Sequence, residues 1–154
     1  MSPIDSILGI DGLMVQSVKG AQGIHVWAKP RRRPACLHCA GQSVQIKATH
    51  QRTLKHTRQG NQLMVLHQAV PKYHGTHCNR YFRHQFPGIR PRLRSTEAYR
   101  LQVFEAHDGG VSQRKLTLTH HIGSATVERW DQSFVKQRVS EFSGRTCPPG
   151  AGYR

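Results

Sequence analysis

The chain has 154 residues, 36% of them hydrophobic and 7% aromatic, which suits one ordinary domain or two small ones rather than a single large core. No apolar run approaches the length of a membrane span, and MSPIDSILGIDG carries acids where a secretory leader needs positive charge, so a cytoplasmic protein is expected. The four cysteines are then expected in a reducing compartment, where metal ligation is favoured over disulfides.

The net charge of +15 is unevenly spread: no acidic residue falls between Asp11 and Glu97, a stretch that holds 15 of the 23 Lys and Arg and eight of the 11 His. A surface of one sign repels itself, and a polyanionic partner relieves that cost. Nucleic acid is the expected partner, bound through neutralised phosphates. The candidate phosphate contacts are Arg31, Arg32, Arg33, Arg52, Lys55, Arg58, Arg80 and Arg83.

In chain order, residues 12–29 read as two short strands, with Ile24, Val26 and Ala28 alternating against His25, Trp27 and Lys29. KPRRRPACLHCAG follows, a basic run between two prolines leading into a cysteine pair. Residues 43–48 and 62–70 are further strand candidates, joined by a basic linker around Gly60-Asn61. YHGTHCNRYF has the look of a second metal-binding turn, and FPGIRPRLR that of a linker, because its prolines suit neither helix nor central strand.

The composition changes at Ser95. Residues 96–107 predict a helix with Ala98, Leu101 and Phe104 on an apolar stripe flanked by Tyr99 and Val103, stopped by Asp108-Gly109-Gly110. Ser112 is the expected N-cap of a short second helix, with Val111 and Leu116 at the spacing of a hydrophobic staple. That helix ends near His121-Ile122-Gly123, and Ser124 is the expected cap of a third helix reaching about Glu141, with Val127, Trp130 and Phe134 inward. Short helix, glycine turn and longer helix make the layout of a helix-turn-helix, whose third helix would present Ser124, Thr126 and Arg129 to base edges. A bundle serving only to pack has the same helical spacing.

Cys36-Leu37-His38-Cys39 is a CxxC, a spacing that lets two thiolates chelate one tetrahedral zinc. The second pair of a zinc ribbon would come from the turn containing Cys78, but a CxxC there requires cysteine at 75, where this chain has Gly75. A histidine can supply the missing ligand. His74 has better reach than His77, whose neighbour Cys78 already ligates, and His38 is expected to point outward. The expected zinc ligands are therefore Cys36, Cys39, Cys78 and His74; the alternative is a degenerate turn that packs without metal. Cys147, beside two prolines, is read as a free thiol.

The expected class is thus α+β: a β-rich, zinc-ribbon-like domain over 1–88, a linker over 89–95, a helix-turn-helix domain over 96–142 and an irregular tail over 143–154. PRRRPACLHCAG, KYHGTHCNRYFRHQFPGIRP, HDGGVSQRKL and THHIGSATVERW together resemble the N-terminal part of bacterial insertion-sequence transposases of the ISL-three type, over about residues 5–146. The resemblance implies that the zinc domain and helix-turn-helix grip the terminal inverted repeats of the element, on double-stranded DNA in the nucleoid. It also implies a following RNase H-like catalytic domain, which GRTCPPGAGYR does not lead into, so a truncated, non-catalytic fragment able to compete with full-length transposase is expected.

The acids present are scattered (Asp5, Asp11, Glu97, Glu105, Asp108, Glu128, Asp131, Glu141), whereas two-metal strand transfer needs converging carboxylates. An RNA-binding or assembly module is the competing reading, weakened by the lack of an evident sheet motif of exposed stacking aromatics. A relic without function is the third.

Overall fold

A computed structural model describes residues 3–143. Cys147 and the rest of 144–154 lie outside the described residues. The class is mixed α+β, a five-stranded sheet and three helices. The chain divides into two compact units that meet in sequence at Tyr99 and Arg100.

After a single 3-10 turn at Asp5–Ile7 come β1 (Leu13–Gly20) and β2 (Ile24–Pro30), an antiparallel hairpin. The strands β3 (Val44–Gln59) and β4 (Gln62–Gly75) form a second, much longer hairpin, and β5 (Arg80–Phe82) folds back onto the end of β4. The sheet order is β1-β2-β4-β3, with β2 and β4 parallel over 64–68. The turn at Gly60, with φ +59°, needs the left-handed conformation that glycine adopts without strain.

Two sequence expectations change here. The basic linker before Gly60 is strand throughout: β3 runs unbroken from 44 to 59. Polar residues hide it, yet Leu54 and His56 are buried at period two, and Thr49, Thr53 and Thr57 suit a pleated surface. The strand β4 also continues past Val70 through Pro71. Proline is tolerated there because β2 pairs with β4 only as far as Gln68 and β5 pairs with it only from Tyr73 onward, which leaves one side of β4 without a strand partner between them.

Both register shifts in the β3–β4 ladder put their extra residue in β3, so β4 alternates without interruption. Its buried residues nevertheless switch phase, from Met64, Leu66 and Gln68 to Pro71, Tyr73 and Gly75. Successive strand residues face opposite sides. The hairpin is therefore covered on one face near its turn and on the other face at its far end. The first cover is the main core, with Leu8, Ile10, Leu13, Val26, Ala28, Leu54, Met64, Leu66, Phe86 and Ile89; the second is a small cluster of Cys36, Val44, Tyr73 and Phe82.

Residues 89–95 are not a free linker. Ile89 is buried in the main core, Arg52 donates to the carbonyls of Arg90 and Leu93, and the Lys55 N–H donates to the Arg94 carbonyl at 2.9 Å. The prolines bar regular structure but not packing. The compact sheet unit accordingly extends through Tyr99.

His56, 1% exposed, ties this region together. Its Nε2–H donates to the Leu8 carbonyl at 3.0 Å, and its Nδ1 lies 2.8 Å from the Thr96 hydroxyl, so both ring nitrogens have a partner. Burial holds its pKa below the usual 6.5. The folded state therefore binds this proton less readily than the unfolded chain, and its stability is full above pH 6.5 and falls as the pH drops below it. Denaturant unfolding at pH 5, 6, 7 and 8 should show this slope, and His56→Gln should flatten it while lowering stability at neutral pH. An unchanged slope in the variant would sink the assignment.

The helices are α1 (Glu97–Asp108), α2 (Gln113–His120) and α3 (Ser124–Phe142). The Thr96 hydroxyl accepts the Tyr99 N–H at 3.3 Å at the start of α1. The stripe on α1 is shifted from expectation: Tyr99, Val103 and Phe104 are buried, while Ala98 and Leu101 are exposed. Ser112 caps α2 as expected, its hydroxyl accepting the Lys115 N–H. His121, at φ 51° and ψ 48°, ends the helix in the left-handed conformation. The cap of α3 is Gly123, whose carbonyl accepts from Thr126 and Val127, and Ser124 is instead the first helical residue. Val127 is buried, Trp130 and Phe134 are half-buried, and Phe134 stacks on Phe104 at 5.1 Å. No helix among the described residues is long and apolar enough to cross a membrane.

Candidate metal centre and nucleic-acid interface

The loop after β2 and the turn after β4 meet at the far end of the long hairpin. The first is closed by the Ala40 N–H on the Cys36 carbonyl and the Cys36 N–H on the Gly41 carbonyl, both at 2.9 Å. The Thr76 N–H and hydroxyl donate to the Ser43 carbonyl and so clamp the second turn to the first. The residue after each turn's last cysteine, Ala40 and Asn79, is left-handed, at φ 57° and 55°. The two turns thus share a local geometry although only one is a CxxC.

This arrangement brings the sulfurs of Cys36, Cys39 and Cys78 within 4.8 Å of one another, a group that can hold a metal ion. Zinc–sulfur bonds of about 2.3 Å at tetrahedral angles put sulfurs roughly 3.8 Å apart, so the spacing fits. Cys36 is buried, Cys78 half-buried and Cys39 exposed. The N–H of His38 aims at the Cys36 sulfur and, against the opposing effect of burial, lowers its pKa to about 7. The Cys78 thiol is pushed up, by burial first and by the Cys36 sulfur 3.4 Å away. A metal ion held here would replace the proton that this pair otherwise shares, and the lowered pKa of Cys36 would favour that exchange.

His74 does not join this group. It follows Tyr73 on β4 and so faces the other side of the sheet, where its ring lies 4.7 Å from that of Tyr81 and its Nε2 meets Asn79 Oδ1 at 2.8 Å. Sequence distance to Cys78 suggested reach; strand alternation removes it. Position 75 does face the sulfurs, since a Cβ on Gly75 would sit 2.8 Å from Cys36 Sγ and 3.1 Å from Cys78 Sγ. Glycine fills that place without offering a donor. His77 stands near Cys39 across Gly41: a Cβ on Gly41 would lie 3.2 Å from Cys39 Sγ and 3.8 Å from His77 Cβ. His38 turns its Nε2 to the Tyr81 carbonyl at 3.4 Å.

The eight basic candidates separate into two sets. Arg31 is paired with buried Asp5 at 2.6 Å, Arg52 holds the 90–93 segment, and Arg58 donates to the Asn61 carbonyl at 2.8 Å. These three guanidinium groups serve the fold. Arg32, Arg33, Arg80 and Arg83 are exposed and Lys55 is half-buried. On α3, Ser124 and Arg129 are exposed and Thr126 is half-buried; the Ser124 carbonyl accepts from Gln113 of α2 at 2.9 Å.

Sequence reasoning missed a set of aromatic rings on the sheet. Trp27 and His67 stack at 4.6 Å, and His25 and His67 at 5.3 Å. The alternation in GIHVWAK puts His25 and Trp27 on one face, but only the parallel pairing of β2 with β4 places His67 beside them. Comparison of the chain with protein-family models, curated proteins and solved structures gave no match.

Proposed function

We propose that the chain is a DNA-binding protein of the insertion-sequence transposase kind, holding the terminal inverted repeats of an element without cutting them. One observation carries the reading: the acid-free stretch 12–96, with its 15 Lys and Arg, folds into a single sheet unit whose far end gathers three cysteines. In this reading the cysteine cluster is a zinc-ribbon-like centre with three thiolates, and bound zinc fixes the two turns. Arg32, Arg33, Arg80 and Arg83 contact phosphates. The capped α2, the turn at His121–Gly123 and α3 act as a helix-turn-helix, with Ser124, Thr126 and Arg129 at base edges. Phosphate contacts would supply grip and the helix sequence preference.

The test is binding to a duplex carrying the inverted repeat and to a shuffled duplex at several salt concentrations. Affinity for both should fall steeply with salt, with a slope of about −0.9 per phosphate neutralised. Arg129→Ala should narrow the gap between the two duplexes, whereas Arg32→Ala with Arg33→Ala should weaken both alike. Salt-independent binding, or none, would refute the reading.

A further inference from the structure

The proposed duplex contacts leave the rings on one face of the sheet unexplained. On β2, His25, Trp27 and Lys29 alternate with the buried Val26 and Ala28. On β4, His67 lies in register with Trp27, and Ala69, Pro71 and Tyr73 follow on the same face.

Three flat rings stand side by side there. The Trp27 and His67 planes are within 13° of parallel, and those of His25 and His67 within 19°. His67 is held from two sides: its Nε2 is 3.0 Å from His25 Nδ1, and its Nδ1 is 3.4 Å from the Thr53 hydroxyl on β3. The rings are only half-buried, and the ammonium of exposed Lys19 lies 5.4 Å from the centre of the Trp27 ring.

Further along the same face is a groove of about 370 Å³, floored by Ala69, Pro71 and Tyr73 and walled by Lys29, Arg32 and Arg33. From His67 to Tyr73 the strand covers roughly 20 Å, at about 3.3 Å per residue. None of the five strands carries a carboxylate. Rings fixed in place, followed by a cationic groove, are the two parts that hold an unpaired polynucleotide: bases stack on the first while the second follows the phosphates. A duplex cannot use the rings, because its own neighbouring base pairs cover the faces of its bases.

We infer that this face binds single-stranded DNA, with an unpaired base stacked on the Trp27–His67 pair and the phosphates drawn along Lys19, Lys29 and Arg33. The choice of DNA rests on the function proposed above. The rings also remove the objection that this sheet lacks stacking aromatics, so RNA enters as an outcome of the test.

The experiment measures anisotropy of labelled strands with the full chain. The probes are oligo(dT) of about 12 nucleotides, within the range of single-strand site sizes, an abasic deoxyribose-phosphate strand of equal length, oligo(U), and the inverted-repeat duplex. Oligo(dT) should bind about tenfold more tightly than the abasic strand, since the two differ only in bases. Trp27→Ala should abolish that difference and Trp27→Phe should keep most of it; duplex binding by both variants at the parent level shows that they fold. Equal affinity for the abasic strand, or a difference that survives Trp27→Ala in the folded variant, overturns the inference. Tighter binding of oligo(U) than of oligo(dT) overturns the choice of DNA. Duplex binding without discrimination between bases and abasic sugar fails this inference alone, whereas discrimination without duplex binding fails the function proposed above alone.

Discussion

Cys36→Ser should lower zinc affinity more than roughly 100-fold, beyond the loss that follows removal of a group merely supporting a ligand. His74→Ala should leave it unchanged. Cys36 is the buried member of the cluster, 3% exposed, with a sulfur supported by the His38 N–H and 3.4 Å from that of Cys78. Serine keeps the size and loses the soft, readily ionised donor that zinc prefers. His74 lies across the sheet from the sulfurs, against Tyr81, so its removal takes away no thiolate and costs the Cys78 turn only the bond to Asn79. Competition with a chromophoric zinc chelator measures both variants. A comparable loss in His74→Ala would show that the histidine reaches the metal and that the facing assigned to it is wrong. A parent chain that binds no zinc would remove the metal centre altogether.

Leu66→Ala should destabilise the sheet unit by about 2–5 kcal/mol, the range for truncating a fully buried leucine. Leu66 is 0% exposed and sits on β4 where that strand is paired on both sides, with Val26 of β2 and Leu54 of β3 in register beside it. Those neighbours are held by ladders on both flanks, so the space left by the lost methyl groups closes poorly. A small unit has on the order of 5–15 kcal/mol in total, and the loss is a large share of it. Leu118→Ala is the matched control, because Leu118 is 68% exposed and its removal opens no cavity. Denaturant unfolding reads both variants, and a loss under about 1 kcal/mol in Leu66→Ala would contradict its place in the core.

What could be read from the sequence follows the range over which each signal acts. The strands β1 and β2, the Ser112 cap and the turn at His121–Gly123 are set by residues a few positions apart, and they lie where local pattern put them. The meeting of Cys36, Cys39 and Cys78 was also legible, because each turn announces its own cysteine. The length of β3 was not. HQRTLKHTRQ has one aliphatic residue larger than alanine, and what makes it strand is its partner β4, 14 residues long. The packing of 89–95 depends on Arg52 and Lys55, some 40 positions earlier, and no local composition reports that. The ring set needed β2 and β4 to lie parallel, a pairing decided by the fold. His74 was misplaced for a related reason: counting residues to Cys78 gives reach along the chain and ignores the side of the strand.

The change of phase along β4 has a mechanical meaning. A hairpin packed on one face at its turn and on the opposite face at its tip is anchored twice, by supports that share no side chain. The two ends are joined by the ladder and by the short segments 31–35 and 83–85. In the proposed reading, the clasp of the tip is three sulfurs and the ion they hold. Removing that ion would then loosen the turns beside Arg80 and leave the rings near the base in place, so the proposed phosphate contacts and the proposed base stacking would answer to different conditions.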